Sequence, residues 1–208
     1  RSILHKNFLN ESMGNKMKII VQFPKYMVYL FNKIYNFLIL RYKKVYYGKE
    51  IKILGKISVH GSGKIKIGNS VTINSSAASN PTSGFDKTYL RTEPPGIIQI
   101  GNHVGISSAN ITAFNSVTIE DYVMIGSGVK IWDTDFHSVN FDNRITNTDI
   151  VSKPILIKRG AFVGACSIIL KGVTIGERAV IGAGSVVTKN IPDDEVWAGN
   201  PAKFIRKC

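Results

Sequence analysis

The sequence predicts an all-β fold: a parallel β-helix with an amphipathic helical segment on its N-terminal side and two loop insertions. Three observations carry this prediction. Apolar residues recur at every sixth position through Ile157, Val163, Ile169, Ile175, Ile181 and Val187. Four places after each stands a small or branched residue, at Ala161, Ser167, Val173, Ala179, Ser185 and Ile191. Glycine follows the apolar residue at Gly68, Gly101, Gly126, Gly164, Gly176 and Gly182, where a tight corner leaves little room for a side chain. Helices repeat at about 3.6 residues and strands at about 2, so a period of six fits neither a long helix nor a hairpin meander. It fits a solenoid in which each unit is one short strand and one turn, with the branched residue stacked on its neighbours one coil away.

In chain order, residues 1–56 read as a basic helical segment. They hold twelve Lys and Arg against two Asp and Glu, whereas 57–208 hold fifteen against twelve, so ten of the thirteen net positive charges are N-terminal. Met27, Leu30, Phe31, Ile34, Phe37 and Leu38 keep helical spacing in a helix that begins near Pro24. Lys25, Asn32, Lys33 and Asn36 interrupt the apolar run, which makes it a poor transmembrane span. Two readings stay open for this helix. It covers the open first coil or packs on a neighbouring subunit, or it gives residues 17–47 a peripheral contact with an anionic membrane surface, flanked by Arg41, Lys43 and Lys44.

Residues 57–208 read as the β-helix domain. Its register shows early at Ile67 and Ile73, at Ile100 and Ile106, and at Ile119, Ile125 and Ile131. Two interruptions read as loops, 74–99 with Asn80-Pro81-Thr82-Ser83-Gly84 and Glu93-Pro94-Pro95-Gly96, and 132–156 with Trp132-Asp133-Thr134-Asp135-Phe136-His137. Insertions of a solenoid emerge at its surface and are where chemistry is expected.

The length of 208 residues suits one domain with an appendage. Hydrophobic residues at 44% and charged residues at 20% exclude a wholly disordered chain and a polytopic membrane protein. Cys166 and Cys208 form no disulfide or metal framework, and the first residues carry no continuous apolar run, so a cytoplasmic setting is expected. The basic residues join no recognisable nucleic-acid motif, so no nucleic acid is expected as a partner.

Three stretches resemble a known family. They are Gly172-Val173-Thr174-Ile175-Gly176 continuing through Val180-Ile181-Gly182-Ala183-Gly184-Ser185-Val186-Val187-Thr188-Lys189, the terminal Ala198-Gly199-Asn200-Pro201-Ala202-Lys203, and the loop Asp133-Thr134-Asp135-Phe136-His137. Over roughly residues 65–207 the chain resembles the hexapeptide-repeat acyltransferases, in the galactoside, maltose and polysaccharide O-acetyltransferase branch. The resemblance implies a left-handed parallel β-helix, a homotrimer with sites between subunits, and transfer of an acetyl group from acetyl-CoA to a sugar hydroxyl without a metal. Together with the basic N-terminus, the branch suggests a glycan or lipid-linked precursor, as in capsule or O-antigen synthesis, as the acceptor at the inner face of the cytoplasmic membrane.

A sugar hydroxyl attacks a thioester only when a base stands within hydrogen-bond reach of its proton, and histidine titrates near ~6.5. His137 matches the position of the family's catalytic histidine, leaving His103 as the lesser candidate. Asp135 is expected to orient that ring or to hold the acceptor, unless Asp133 and Asp135 cap backbone amides instead. Asp133, Ser107 and Trp132, with Ser108, are candidate acceptor contacts. On the CoA side the resemblance carries over to Ala165, Ala183 and Thr188, to the cations Lys189, Lys203 and Arg206 near the phosphates, and to Phe162, where relatives usually have Trp. Cys166 replaces a turn residue, which favours direct transfer over an acyl-enzyme.

Two rivals remain. A zinc carbonic anhydrase on the same solenoid needs three converging histidines, and His60, His103 and His137 lack paired spacing. A non-enzymatic β-helix scaffold or binding protein needs neither CoA nor His137.

Overall fold

The structure, a computed structural model, describes residue 24, residues 26–80 and residues 87–208. Helix α1 covers residues 26–42, and Pro24 ahead of it is also helical; residues 17–23 and 25 of the expected membrane-contact segment lie outside the described residues. The chain then winds as a left-handed β-helix with three sheets. Sheet A holds β1 (Tyr46–Tyr47), β4 (Lys64–Ile67), β7 (Ile97–Ile100), β10 (Ser116–Ile119), β13 (Ile155–Ile157) and β16 (Thr174–Ile175). Sheet B holds β2 (Lys52–Gly55), β5 (Thr72–Ser75), β8 (Gly105–Ser107), β11 (Met124–Ile125), β14 (Phe162–Val163) and β17 (Val180–Ile181), closed by β19 (Glu195–Ala198) and an antiparallel β20 (Lys203–Lys207). Sheet C holds β3 (Ser58–Gly61), β6 (Tyr89–Thr92), β9 (Asn110–Ala113), β12 (Lys130–Trp132), β15 (Ile168–Leu170) and β18 (Val186–Val187). Each coil therefore runs through A, B and C in turn, and every pairing between coils is parallel until β20.

The six-residue period corresponds to the inward columns. Ile157, Val163, Ile169, Ile175, Ile181 and Val187 are all 0% exposed, and the second set, from Ala161 to Ile191, is buried beside them. Each isoleucine leaves water against its partners above and below, worth about 1.5–3 kcal/mol per side chain. The inward serines are satisfied: the hydroxyls of Ser167 and Ser185 donate to the Gly182 carbonyl at 3.0 and 2.6 Å.

The corners explain the residues between columns. At every A-to-B corner one residue takes a left-handed backbone, including Ser70, His103, Tyr122, Gly160 and Arg178. The side chain ahead of it accepts an amide from the preceding coil: Asn69 from Lys49 at 2.8 Å, Asn102 from Asn69 at 2.8 Å and Asp121 from Asn102 at 2.6 Å. His103 belongs to this corner column and stacks on Tyr122 with ring centroids 4.8 Å apart.

The fold departs from the sequence reading in three places. The solenoid begins at Tyr46 rather than 57, because β1 and β2 already pair with β4 and β5. The interval 74–99 is not one loop: β6 lies inside it as a full member of sheet C, with Leu90 buried. The stripe Met27, Leu30, Phe31, Ile34, Phe37 and Leu38 is exposed, and α1 instead covers the first coil with buried Asn36 and Leu40 and partly buried Ile39. The Asn36 amide donates to the Gly55 carbonyl at 2.8 Å and accepts from the Ile57 amide at 3.0 Å.

Candidate active site

The loop that carries His137 leaves the solenoid at a C-to-A corner, after β12, and returns at β13. Its stem is a short antiparallel ladder. Thr134 bridges to Ser152, the Asp135 amide donates to the Val151 carbonyl at 3.1 Å, and the Lys153 amide donates to the Asp133 carbonyl at 2.8 Å. Its outer part holds α2 (Phe141–Thr146), capped by Asn140, whose side chain accepts from the Asn143 amide at 3.1 Å. No residue of α2 is buried.

Asp133 fastens the stem to the coil before it. Its carboxylate is fully buried and accepts the backbone amides of Phe114 at 2.8 Å and Asn115 at 2.7 Å. Burial pushes this carboxyl above the ordinary carboxylate range, and those two amides pull it part of the way back. The expected acceptor contact at Asp133 is therefore corrected: a side chain with no exposed surface and both oxygens committed to amides cannot meet a sugar.

Phe136 sets the direction of the next residue. Its backbone is left-handed at φ 62°, a conformation that costs a side-chain-bearing residue about 1–2 kcal/mol. The ring repays this by standing edge-on to Trp132 and Phe114, with centroids 5.6 and 6.1 Å apart, contacts worth ~0.5–1.5 kcal/mol each. Ser138 beyond is buried, so His137 stands exposed between two anchored neighbours. Asp135 does not orient that ring. Its carboxylate pairs with the Lys171 ammonium at 2.5 Å, with both side chains about three-quarters buried. Trp132, at the end of β12, donates its indole N–H to Asn110 Oδ1 at 3.2 Å.

The structure brings His137, Asp135, Trp132, Phe136 and Lys171 to one corner. The last of these is a residue that sequence reasoning missed, because it lies one coil further on in the turn after β15. Thr188 and Lys189 follow β18 at the same corner, further along the axis, and both are exposed. The Lys189 ammonium lies 5.2 Å from the centroid of the Trp197 ring, which makes Trp197 a second missed neighbour. Lys203 and Arg206 stand exposed on β20.

Other expected site residues stand elsewhere in a single chain. Ala165 and Ala183 occupy successive B-to-C corners, across sheet C from His137, and a Cβ added to Gly184 would meet nothing within 4 Å, so the corner backbone beside Ala183 is open to a thin ligand. Ser107 and Phe162 lie on sheet B; Ser107 Oγ accepts from the Asn74 amide at 3.1 Å, and Phe162 is 44% exposed. Both cysteines are free and exposed. Among the described residues no three His, Cys, Asp or Glu side chains come together as a metal site. Chemically, the C-to-A corner offers a solvent-facing imidazole on a braced backbone, beside a cation–carboxylate pair.

Comparison with known proteins agrees with this architecture. Residues 154–189 match the family described as bacterial transferase hexapeptide (six repeats). The chain is 38% identical over 121 residues to galactoside O-acetyltransferase of Escherichia coli K12, covering 55% of this chain and 59% of that protein. It therefore spans about three-fifths of that relative's length. It is 32% identical over 164 residues to the dTDP-4-amino-4,6-dideoxy-D-glucose acyltransferase of Escherichia coli, covering 76% of this chain and 79% of that one. Among solved structures, AntD, an N-acyltransferase from Bacillus cereus in complex with dTDP and 3-hydroxybutyryl-CoA, superposes with a TM-score of 0.65 at 21% identity, over 81% of this chain and 86% of its own. That similarity speaks to the fold.

Proposed function

The chain belongs to the hexapeptide-repeat acyltransferases, and from that membership we propose that it transfers an acetyl group from acetyl-CoA to a sugar hydroxyl, with His137 as general base. The observation that carries this reading is the position of His137. The residue is exposed, it is held between Phe136 and buried Ser138, and it stands on the long insertion that follows β12 at a solenoid corner. His137 takes the hydroxyl proton as the oxygen attacks the thioester carbonyl, and returns it to the sulfur as the thiol departs, so no acyl-enzyme forms. Asp135 acts as a positioning residue through its pair with Lys171, which braces the backbone next to His137. Lys189, Lys203 and Arg206 meet the phosphates of CoA, Phe162, Ala165, Ala183 and Thr188 line its pantetheine arm, and Trp132 borders the acceptor.

The working unit in this proposal is a homotrimer with sites between subunits. Support comes from the distribution of site residues: His137 and the Ala165 and Ala183 corners flank opposite edges of sheet C in one chain, so adjacent copies can complete one site. The acceptor is a glycan precursor such as a capsular or O-antigen intermediate, met at the cytoplasmic face of the membrane. No helix among the described residues is long and apolar enough to cross a membrane, which suits a peripheral contact.

A second reading has its own support. The relative matched over most of its length bears the name of an acyltransferase for a dTDP-linked amino sugar, so the acceptor atom in this reading is an amine. Thiol release from acetyl-CoA, followed against a panel of sugars and nucleotide-linked amino sugars, separates the two. His137→Ala should cost ~10²- to 10⁴-fold in rate with an unchanged melting temperature. Equal turnover by both proteins would remove His137 from the mechanism, turnover confined to amino sugars would favour the amine, and no CoA binding would leave the scaffold reading.

A further inference from the structure

We propose that α1 and the first two coils form a docking surface for an anionic lipid bilayer, with four lysines around one pocket taking the lipid phosphates. This deepens the peripheral placement proposed above and is independent of acyl transfer. The first observation is the state of the helix. α1 touches the solenoid through Asn36, Ile39 and Leu40, while Phe31, Ile34, Phe37 and Leu38 are 64%, 52%, 51% and 58% exposed. A continuous apolar surface of this kind is rare on a soluble protein unless something covers it.

The second observation is the charge beside it. Between residues 26 and 66 there are nine Lys and Arg and a single acid, Glu50. Four of these lysines, Lys43, Lys44, Lys64 and Lys66, line one cavity of about 500 Å³ together with Tyr42 and Tyr46, and no carboxylate lines it. The Lys43 ammonium donates to the Gly61 carbonyl at 3.1 Å, tying the end of α1 to the end of β3. An ammonium has three donors, so this bond leaves two for a ligand. Lys56 lies over the rings of Phe31 and Tyr35 at 5.2 and 5.3 Å, which carries the positive charge up along the apolar side of the helix.

The occupant follows from the two observations together. An exposed apolar helix alone would suit a second copy of the chain equally well. Juxtaposing two such surfaces, however, would bring Lys56 and the four cavity lysines of one copy against those of the other, with no carboxylate lining the cavity. An anionic bilayer satisfies both halves: acyl chains receive the aromatic and aliphatic side chains, and headgroup phosphates receive the lysines. The seventeen described residues 26–42 span about 25 Å, and no helix among the described residues is long and apolar enough to cross a membrane, so the proposed placement is in the plane of the interface.

The test is co-sedimentation of the full chain with vesicles of phosphatidylcholine alone and of phosphatidylcholine mixed with phosphatidylglycerol. Binding is expected to the mixed vesicles and to weaken as salt rises. The triple variant Lys43→Gln, Lys64→Gln, Lys66→Gln should bind about 100-fold more weakly, at roughly fivefold per lysine. Phe31→Ser with Leu38→Ser should also release the protein and melt as the wild type does, and the triple variant should still melt cooperatively, since Lys64 and Lys66 are exposed and Lys43→Gln gives up a single bond to the Gly61 carbonyl. Undiminished binding by the triple variant would overturn the proposal, as would equal binding to neutral vesicles. Inorganic phosphate that saturates the pocket and displaces vesicles would make it a free-anion site instead. A smaller assembly by light scattering for the serine variant, with no vesicle binding by the wild type, would assign the helix to a second copy. Thiol release on a soluble acceptor, measured in the same variants, is expected to stay at the wild-type rate, so failure here is separable from failure of the acyltransfer reading.

Discussion

Replacing Asp133 with alanine tests whether a buried carboxylate fastens the His137 loop to the solenoid. The wild-type side chain accepts two amides, from Phe114 and Asn115, at 2.8 and 2.7 Å, and has no exposed surface. A net hydrogen bond to a charged group is worth ~1.5–3 kcal/mol, so two give an upper bound of about 3–6 kcal/mol. Burial works against this, since it holds the carboxyl above its ordinary range and so penalises the ionised form. The expected loss at neutral pH is therefore about 2–4 kcal/mol, read as a lower midpoint in urea with an unchanged slope. A loss below ~1 kcal/mol would refute the reasoning, because the amides would then be satisfied without the carboxylate.

The pH dependence supplies an independent check on the same group. A carboxyl with a raised pKa in the fold binds its proton more tightly there than in the unfolded chain. Its contribution is then fully present below the unfolded value of 3.8 and declines as pH climbs through the folded value. The stability gap between wild type and Asp133→Ala should thus be wider in mild acid than at neutral pH, in a pH series of urea melts. A gap that widens on going to neutral pH would mean that the amides of Phe114 and Asn115 outweigh desolvation.

Three further outcomes follow from the same geometry. A Cβ at Gly164 would lie 2.6 Å from the Ala183 amide nitrogen and 2.7 Å from the Ile181 carbonyl, while one at Gly105 would meet nothing within 4 Å; calorimetry should show Gly164→Ala destabilised by about 1–3 kcal/mol and Gly105→Ala unchanged or slightly stabilised. Asn36→Leu strips the Gly55 carbonyl and Ile57 amide of their partner, so about 1–3 kcal/mol should be lost, with hydrogen exchange faster in β2 and unchanged in β16 to β18. A double-mutant cycle of Asp135→Asn with Lys171→Gln should return a coupling of about 1 kcal/mol, and a coupling of zero in urea melts would deny the pair its bracing role.

How far a residue's role was legible in the sequence depends on how the coils are counted. Where no insertion intervenes, one coil is about eighteen or nineteen residues, so Ile157 pairs with Ile175 and the Asn102 amide reaches Asp121 nineteen residues on. That count alone carries the core, and it also finds Asp133, which bonds to amides nineteen and eighteen residues behind it. The count breaks at the insertions. β6 was hidden because residues 76–88 separate it from β5, and because its inward Leu90 is flanked by buried Thr88 and Thr92 rather than by aliphatic residues. The first coil was hidden for another reason: Glu50 takes its left-handed corner without glycine, and polar Asn36 does the capping where an apolar stripe was expected. Lys171 escaped in the same way as β6, since its partner Asp135 is thirty-six residues away across the loop. His137 was legible as a motif in the sequence, whereas its bracing is a property of which coil lies next to the loop. A substitution at Lys171 or Phe114 should therefore be as informative about the loop as one within it, although neither residue belongs to the motif that marks the site.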